Sequence, residues 1–364
     1  MIPLFKVFVP NDIGQKIQEV FDSGVITEGR YSDEFELRLS DRFGTFTSLT
    51  NSGTSALTLA YIASGVGPGT DVISTPMTCM ATNEPIDTLG ARIIWADIDP
   101  RTGNIDPSSV AKILTPNTKA IVGVHWSGMP FDVNGVYEVL KKVGRMDVKV
   151  IADAAHAMGA RYGEAHVGDE CDHVCFSFQA IKHLTTVDGG AVTSKNKTDD
   201  VRIKKLRWFG LDRKYAGEKW SQDITESGYK FHMNNVNAAI GLAQLPYLYQ
   251  NLVKHVDNGT FYDREITNPR VKPLQHLRNN SQSSYWIYTV LVDDREKFKK
   301  YMNDRFISCD IVHFRNDKYK VFEKYQRNLP GVDEFCAKMI NIPVGWWLTD
   351  EERQHIVNSV NSYA

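Results

Sequence analysis

Short apolar or β-branched runs at residues 47–50, 71–75, 92–96, 120–124 and 148–152 alternate, from residue 71 onward, with helical stretches at residues 79–89, 107–114 and 133–142. Strands joined through an intervening helix can pair in parallel, which a tight hairpin turn does not allow. Nearly continuous apolar character, rather than strict alternation, marks strands buried on both faces. The first part of the chain is therefore predicted to be α/β, with a mostly parallel sheet between helices. In open sheets of this kind, ligands gather beyond the carboxyl ends of the strands.

Around this unit, residues 12–23 and 32–43 read as helices that end near Gly24 and Gly44. Residues 199–209 read as a helix, and 213–228 as a polar loop that suits either function or a solvated surface. Residues 234–249 form a strong helical pattern whose small face, Ala238, Ala239, Gly241 and Ala243, suits close approach at a subunit interface. A break near 256–270 divides the chain into a large unit, residues 1–255, and a small C-terminal α/β unit, residues 256–364. In the latter, 285–292 reads as a strand and 295–304 and 349–359 as helices. At 364 residues the chain is long enough for both.

Composition narrows the functional classes. With 42 Lys+Arg against 44 Asp+Glu the formal charge is −2, which gives a nucleic acid nothing to bind. No apolar run approaches the roughly 18 residues that span a bilayer, and the opening MIPLFKVFVPND lacks the long apolar segment of a signal peptide. A cytoplasmic protein away from membranes is expected. The 5 cysteines do not form the framework of a small secreted fold. Cys171, His173 and Cys175 alternate as one strand face does, and no second cluster completes a tetrahedral metal site.

Chemistry enters with Lys182, a single lysine in the weakly charged stretch 171–194. An amine in apolar surroundings loses hydration, and its pKa falls toward the range of a nucleophile. A lysine that lays its stem on apolar surface and keeps its ammonium in water would look the same. Three other features bear on it. The run NSGTSAL opens a helix, where the amides of Gly53 and Thr54 suit a phosphate, although Asn51 or Ser52 as a plain helix cap explains the same residues. Asp153 follows the strand 148–152, as a site carboxylate or a buried cap. Ser177 precedes Lys182 by 5 positions. Pyridoxal phosphate (PLP) needs such a set: amides and hydroxyls for its phosphate, a carboxylate for its ring nitrogen and an amine for its aldehyde.

The motifs SGTSAL (52–57), PMTCMATN (76–83), DAAHAMGARY (153–162), FSFQAIKHLTTVDGG (176–190) and GYKFHMNNVNAAIGLAQL (228–245) occur in this order. In them the chain resembles, over nearly its whole length, the DegT/DnrJ family of PLP-dependent aminotransferases that act on nucleotide-linked keto sugars. The resemblance implies fold type I of the PLP-dependent transferases, with a large cofactor domain and a smaller C-terminal one. It implies Lys182 as the Schiff-base lysine, Asp153 as partner of the ring nitrogen, and Gly53, Thr54 and Ser177 around the phosphate. His156 stands where many members have a glutamine near the cofactor's phenolic oxygen. The segment from Lys230 to His232 is implied to come from the second subunit of a homodimer; many members have asparagine where this chain has Lys230. Cys79 stands where the family usually stacks an aromatic residue on the cofactor ring, and a thiol offers less area there.

His313 and Arg315, one residue apart, would share one face if their segment were a strand, meeting either substrate or solvent. Trp346 and Trp347 suit a sugar or a core. The reaction implied by the resemblance passes an amino group from L-glutamate, through the pyridoxamine phosphate form of the cofactor, to carbon 4 of a nucleotide-linked 4-keto-6-deoxyhexose. The rivals are a PLP-dependent sugar dehydratase and a non-catalytic sugar-nucleotide-binding regulatory protein. Lys182 disfavours dehydratases that carry histidine in its place, and the scattered cysteines disfavour those with an iron–sulfur cluster.

Overall fold

The computed structural model describes residues 1–215, 217–218, 221–275 and 281–364. Positions 216, 219 and 220 of the expected polar loop lie outside the described residues. The large sheet contains β1 (Phe46–Thr50), β2 (Asp71–Ser74), β3 (Arg92–Trp95), β4 (Thr118–Val124), β5 (Lys149–Asp153), β8 (His173–Ser177) and β9 (Gly190–Ser194); a small ribbon, β6 (Arg161–Tyr162) and β7 (Ala165–His166), lies between β5 and β8 in sequence. The strand order is β1-β9-β8-β5-β4-β2-β3. β3, β2, β4, β5 and β8 pair in parallel, whereas β9 is antiparallel to both β8 and β1.

The helices of this part are α1 (Ile13–Asp22), α2 (Arg30–Phe43), α3 (Gly53–Ala63), α4 (Met80–Thr88), α5 (Pro107–Ala111), α6 (Val133–Lys142) and α7 (Lys197–Leu206). Both faces of the sheet are covered, as its apolar strands require. On β5, Val150 and Ala152 face one core cluster with Phe35 and Phe176, while Ile151 faces another with Leu59 and Trp95. The expected strands and helices are present, with shifted ends; the helix at Pro107 is shorter than its pattern suggested.

The helix expected over 234–249 is α8 (Asn235–Glu265), 31 residues long and unbroken at Pro246. The expected division at 255/256 therefore falls inside a helix. Two polar residues of its second half, His255 and Asn258, are buried and satisfied. His255 Nδ1 lies 2.8 Å from the Tyr285 carbonyl, and Asn258 donates to the carbonyls of Val344 and Gly345. The C-terminal part adds a sheet of β10 (Val271–Pro273), β11 (Tyr288–Val292) and β12 (Met339–Ile342), with α9 (Arg295–Asn303), α10 (Pro330–Lys338) and α11 (Asp350–Asn361). Ile2 joins the core of this second sheet and pairs with Ile307, although its place in sequence assigned it to the first unit.

No helix among the described residues is long and apolar enough to cross a membrane. Gly123 in β4 is set so that a Cβ would lie 2.5 Å from the Phe131 ring, whereas a Cβ on Gly14 in α1 would meet nothing within 4 Å. Gly123→Ala is expected to cost about 1–3 kcal/mol by overpacking, and Gly14→Ala to be neutral or to stabilise by about 0.5 kcal/mol. Urea denaturation of the two variants distinguishes these outcomes.

Candidate active site

The carboxyl ends of β1, β5 and β8 and the amino end of β9 meet at one edge, because Thr50 and Ser177 both pair with Gly190. A cavity of about 370 Å³ opens there. One wall is the first turn of α3. Ser52 caps it by accepting from the Ser55 amide at 3.0 Å, and helix geometry leaves the Gly53 and Thr54 amides without intrahelical acceptors. Both residues line the cavity, where the positive end of the helix favours an anion. A Cβ on Gly53 would come within 2.9 Å of Ser177 Cβ, and one on Gly190 within 2.6 Å of the Ser52 carbonyl. These glycines let the anion turn close onto β8 and β9.

Asp153 ends β5, is 3% exposed and lines the same cavity. No helix follows it, so it is not a helix cap. Its Oδ2 accepts from Thr82 Oγ1 at 2.6 Å and its Oδ1 from the Ala155 amide at 3.0 Å. Thr82 is paired in turn with Thr78, 2.7 Å away and just before the N-cap of α4. The carboxylate is thus fixed in direction by two donors.

Lys182 reaches the cavity from the loop after β8. Burial pushes its ammonium down to about 8, against the opposing pull of Asp153 and Cys79. Its Nζ lies 3.6 Å from the centre of the Trp286 ring. Trp286 stacks on His156 at 3.9 Å, and His156 Nε2 lies 3.1 Å from His313 Nε2. Burial, with the Lys182 charge next in weight, holds His156 well below the ordinary imidazole range and His313 at about 3. Both rings are therefore neutral near pH 7, which lets one donate and the other accept. His156 Nδ1 is buried and lacks a partner among the described residues.

Gly53, Thr54, Cys79, Asp153, His156, Ser177, Lys182 and His313 thus come together. Arg315 does not join them. Its segment is not a strand, and the guanidinium is buried against Asp317 and Asp333, which raises its pKa and leaves the side chain no share in the cavity. Lys230 and His232 also lie outside it within one chain. Lys230 is exposed, with its ammonium 5.8 Å from the Trp208 ring. His232 meets that ring edge-on at 4.3 Å, and burial, then Arg213, Arg207 and Lys230, lowers it to about 4. Trp346 and Trp347 hold the N-terminal segment, donating to the carbonyls of Lys6 and Pro3. Sequence reasoning passed over Thr82 and Trp286. The i,i+4 spacing of Thr78 and Thr82 was a usable signal; nothing in the stretch SSYWIY set Trp286 apart from a core residue.

A model of the DegT/DnrJ/EryC1/StrS aminotransferase family matches residues 9–361. The chain belongs to this family. AtS13 from Actinomadura melliaura is 38% identical, with a TM-score of 0.96 over 100% of this chain and 99% of that one. The sugar aminotransferase CalS13 from Micromonospora echinospora is 34% identical, with a TM-score of 0.96 and 100% of both chains covered. Spr1654 from Streptococcus pneumoniae, in its PLP form, is 26% identical, with a TM-score of 0.91 over 99% of this chain and 98% of that one. The large sheet and its helices are accordingly those of fold type I, and this aminotransferase is PLP-dependent. The cavity fits that cofactor: an anion turn closed by glycine, a directed carboxylate, a buried amine and an orphaned imidazole nitrogen lie around one space.

Removing Arg315 leaves Asp317 buried without its partner. Arg315→Met is expected to destabilise the fold by roughly 3 kcal/mol, while the KM of the folded protein for its substrates stays within about twofold. A thermal melt paired with steady-state kinetics checks this.

Proposed function

We propose that this aminotransferase carries an amino group from L-glutamate to a nucleotide-linked keto sugar, at carbon 4 of a 4-keto-6-deoxyhexose. The observation that carries the reading is the convergence of Lys182, Asp153 and the Gly53, Thr54 and Ser177 turn on a single cavity. The sugar acceptor is supported by CalS13, named a sugar aminotransferase, and by Helicobacter pylori PseC, named an aminotransferase of pseudoaminic acid biosynthesis, at 27% identity and a TM-score of 0.89.

When bound, PLP supplies an electron sink for the pair left at the substrate carbon after proton loss, and a carrier for the nitrogen. The Gly53 and Thr54 amides and the Ser177 hydroxyl would hold its phosphate. Asp153, directed by Thr82 and the Ala155 amide, would keep a proton on its ring nitrogen. The orphaned Nδ1 of His156 would face its phenolic oxygen, and Cys79 would cover part of one ring face. Lys182 Nζ would bind the aldehyde and, once released by the donor's nitrogen, take the proton from the donor's α-carbon and hand it on within the same half-reaction, the reverse transfer toward the sugar carbon following in the second half. The depressed pKa of Lys182 serves both tasks, since only the uncharged amine attacks or accepts a proton.

The active unit in this reading is a homodimer in the cytoplasm, in which Lys230 and His232 reach the partner's site. A dehydratase shares the fold, but Lys182 in the cavity favours amino transfer. A regulatory module has no use for a directed carboxylate beside a buried amine.

Lys182→Ala is expected to lower kcat by about a thousandfold or more and to abolish the absorbance of lysine-bound cofactor. In the unaltered chain, the rate at which added PLP is captured rises with pH and levels off above about 8, as Lys182 loses its proton; a rate flat from pH 6 to 9 counts against the assignment. The acceptor is tested by offering glutamate and a panel of keto-sugar nucleotides to the enzyme and measuring product masses. A gain of an amine by a 4-keto-6-deoxyhexose supports the reading. Bleaching by glutamate without any aminated sugar overturns the acceptor and keeps the donor.

A further inference from the structure

We propose that Trp286 is a positioning residue that carries the Lys182 ammonium on its ring, keeping the amine directed into the cavity whenever it is not bonded to the cofactor. The inference rests on the reading of Lys182 as the cofactor's lysine. Lys182 Nζ makes no hydrogen bond or ion pair among the described residues, and what it meets is the Trp286 ring at 3.6 Å from the centre. Indole offers the strongest aromatic face for a cation, and the attraction grows when water is excluded. Trp286 is 2% exposed.

The ring is held in that place by its surroundings. The indole N–H donates to the carbonyl of Ile181, the residue before the lysine, at 2.8 Å. One neighbour is the stacked His156 at 3.9 Å; another is Phe5 at 5.1 Å, from the N-terminal segment. The backbone that presents it is strained: Tyr285 sits at φ 46°, a left-handed conformation that a bulky side chain rarely adopts. That turn is pinned on both sides, by Ser284 Oγ donating to the His156 carbonyl at 3.0 Å, by the Tyr285 amide donating to Ser283 Oγ at 3.0 Å and by His255 Nδ1 against the Tyr285 carbonyl at 2.8 Å. A tryptophan that only filled a core would need neither the strained turn nor the bond to the lysine's own loop.

A carboxylate partner in direct contact would hold the ammonium more strongly, and would make its proton costly to give up. A ring face attracts the cation while adding no charge and no competing acceptor. The amine is thereby kept in place and remains easy to deprotonate, which suits a group that must bind, leave, and carry a proton in each half of the reaction.

The test uses the holoenzyme converted by glutamate to its pyridoxamine phosphate form, in which Lys182 is free. The pH dependence of Lys182 acetylation by acetic anhydride, followed by peptide mass spectrometry, gives the midpoint of its titration. Trp286→Leu is expected to lower that midpoint by roughly one pH unit and Trp286→Phe by about half as much. In kinetics, kcat falls while the KM for glutamate stays within about twofold. Midpoints that coincide with the unaltered enzyme, or that rise, overturn the proposal. If the leucine variant does not fold, the phenylalanine variant decides alone by the same criterion. Labelling of Lys182 that is equal in the PLP and pyridoxamine phosphate forms overturns the underlying reading of Lys182 instead.

Discussion

Taking an ammonium out of water is the physical constraint on which the site depends. Lys182 sits deep enough for burial to dominate its titration, and a lone cation there would be expensive. The fold offsets that cost from several directions at moderate strength. Asp153 and Cys79 act through space, and Trp286 offers a ring. Burial, with the Lys182 charge next in weight, also keeps His156 and His313 uncharged, so two stacked, neutral imidazoles form the wall next to the lysine. Their one shared hydrogen bond leaves His156 Nδ1 facing no protein partner among the described residues.

The sheet makes this arrangement possible. Parallel strands bring their carboxyl ends to one edge, which is why Asp153, paired with Cys175, and Ser177, two residues further along, line one cavity though they lie on different strands. The single reversed strand, β9, adds its amino end and the glycines before it to that edge. Without side chains at Gly53 and Gly190, the first turn of α3 approaches close enough for its amides to share a cavity with the Ser177 hydroxyl. Segments of the C-terminal part outside its strands close the other side through residues whose sequence neighbourhood says little, Trp286 and His313. The two sheets are linked by α8, whose buried His255 and Asn258 tie the turn at Tyr285 and the stretch at Val344 to the helix. Placement of the aromatic wall thus depends on a helix that runs through the expected break near 256–270.

Local pattern in the chain reached a long way. Alternating apolar runs and helical stretches specify a parallel sheet, because each element must bury a face and crossovers allow few topologies. Turn glycines, cap residues and a lysine in a weakly charged run stand out by residue type, and Gly53, Thr54, Asp153, Ser177 and Lys182, singled out in that way, line one cavity. Reading failed where a residue's meaning depends on what it meets. The proximity of His313 and Arg315 suggested a shared face. Yet Arg315 is consumed by Asp317 and Asp333, while His313 stacks in the cavity.

The sequence by itself determined the class of fold, the edge at which ligands gather and a set of residues, Gly53, Thr54, Asp153, Ser177 and Lys182, that line one cavity. Those properties follow from periodicity and from side-chain chemistry over short distances. Only the tertiary structure decided that α8 runs to Glu265, that Arg315 is a buried ion-pair partner, and that Trp286 lies against Lys182 from 104 positions away in the chain. Such contacts arise from the meeting of two sheets. No local pattern records them, because desolvation, ring stacking and the pairing of a buried charge are set by neighbours in space.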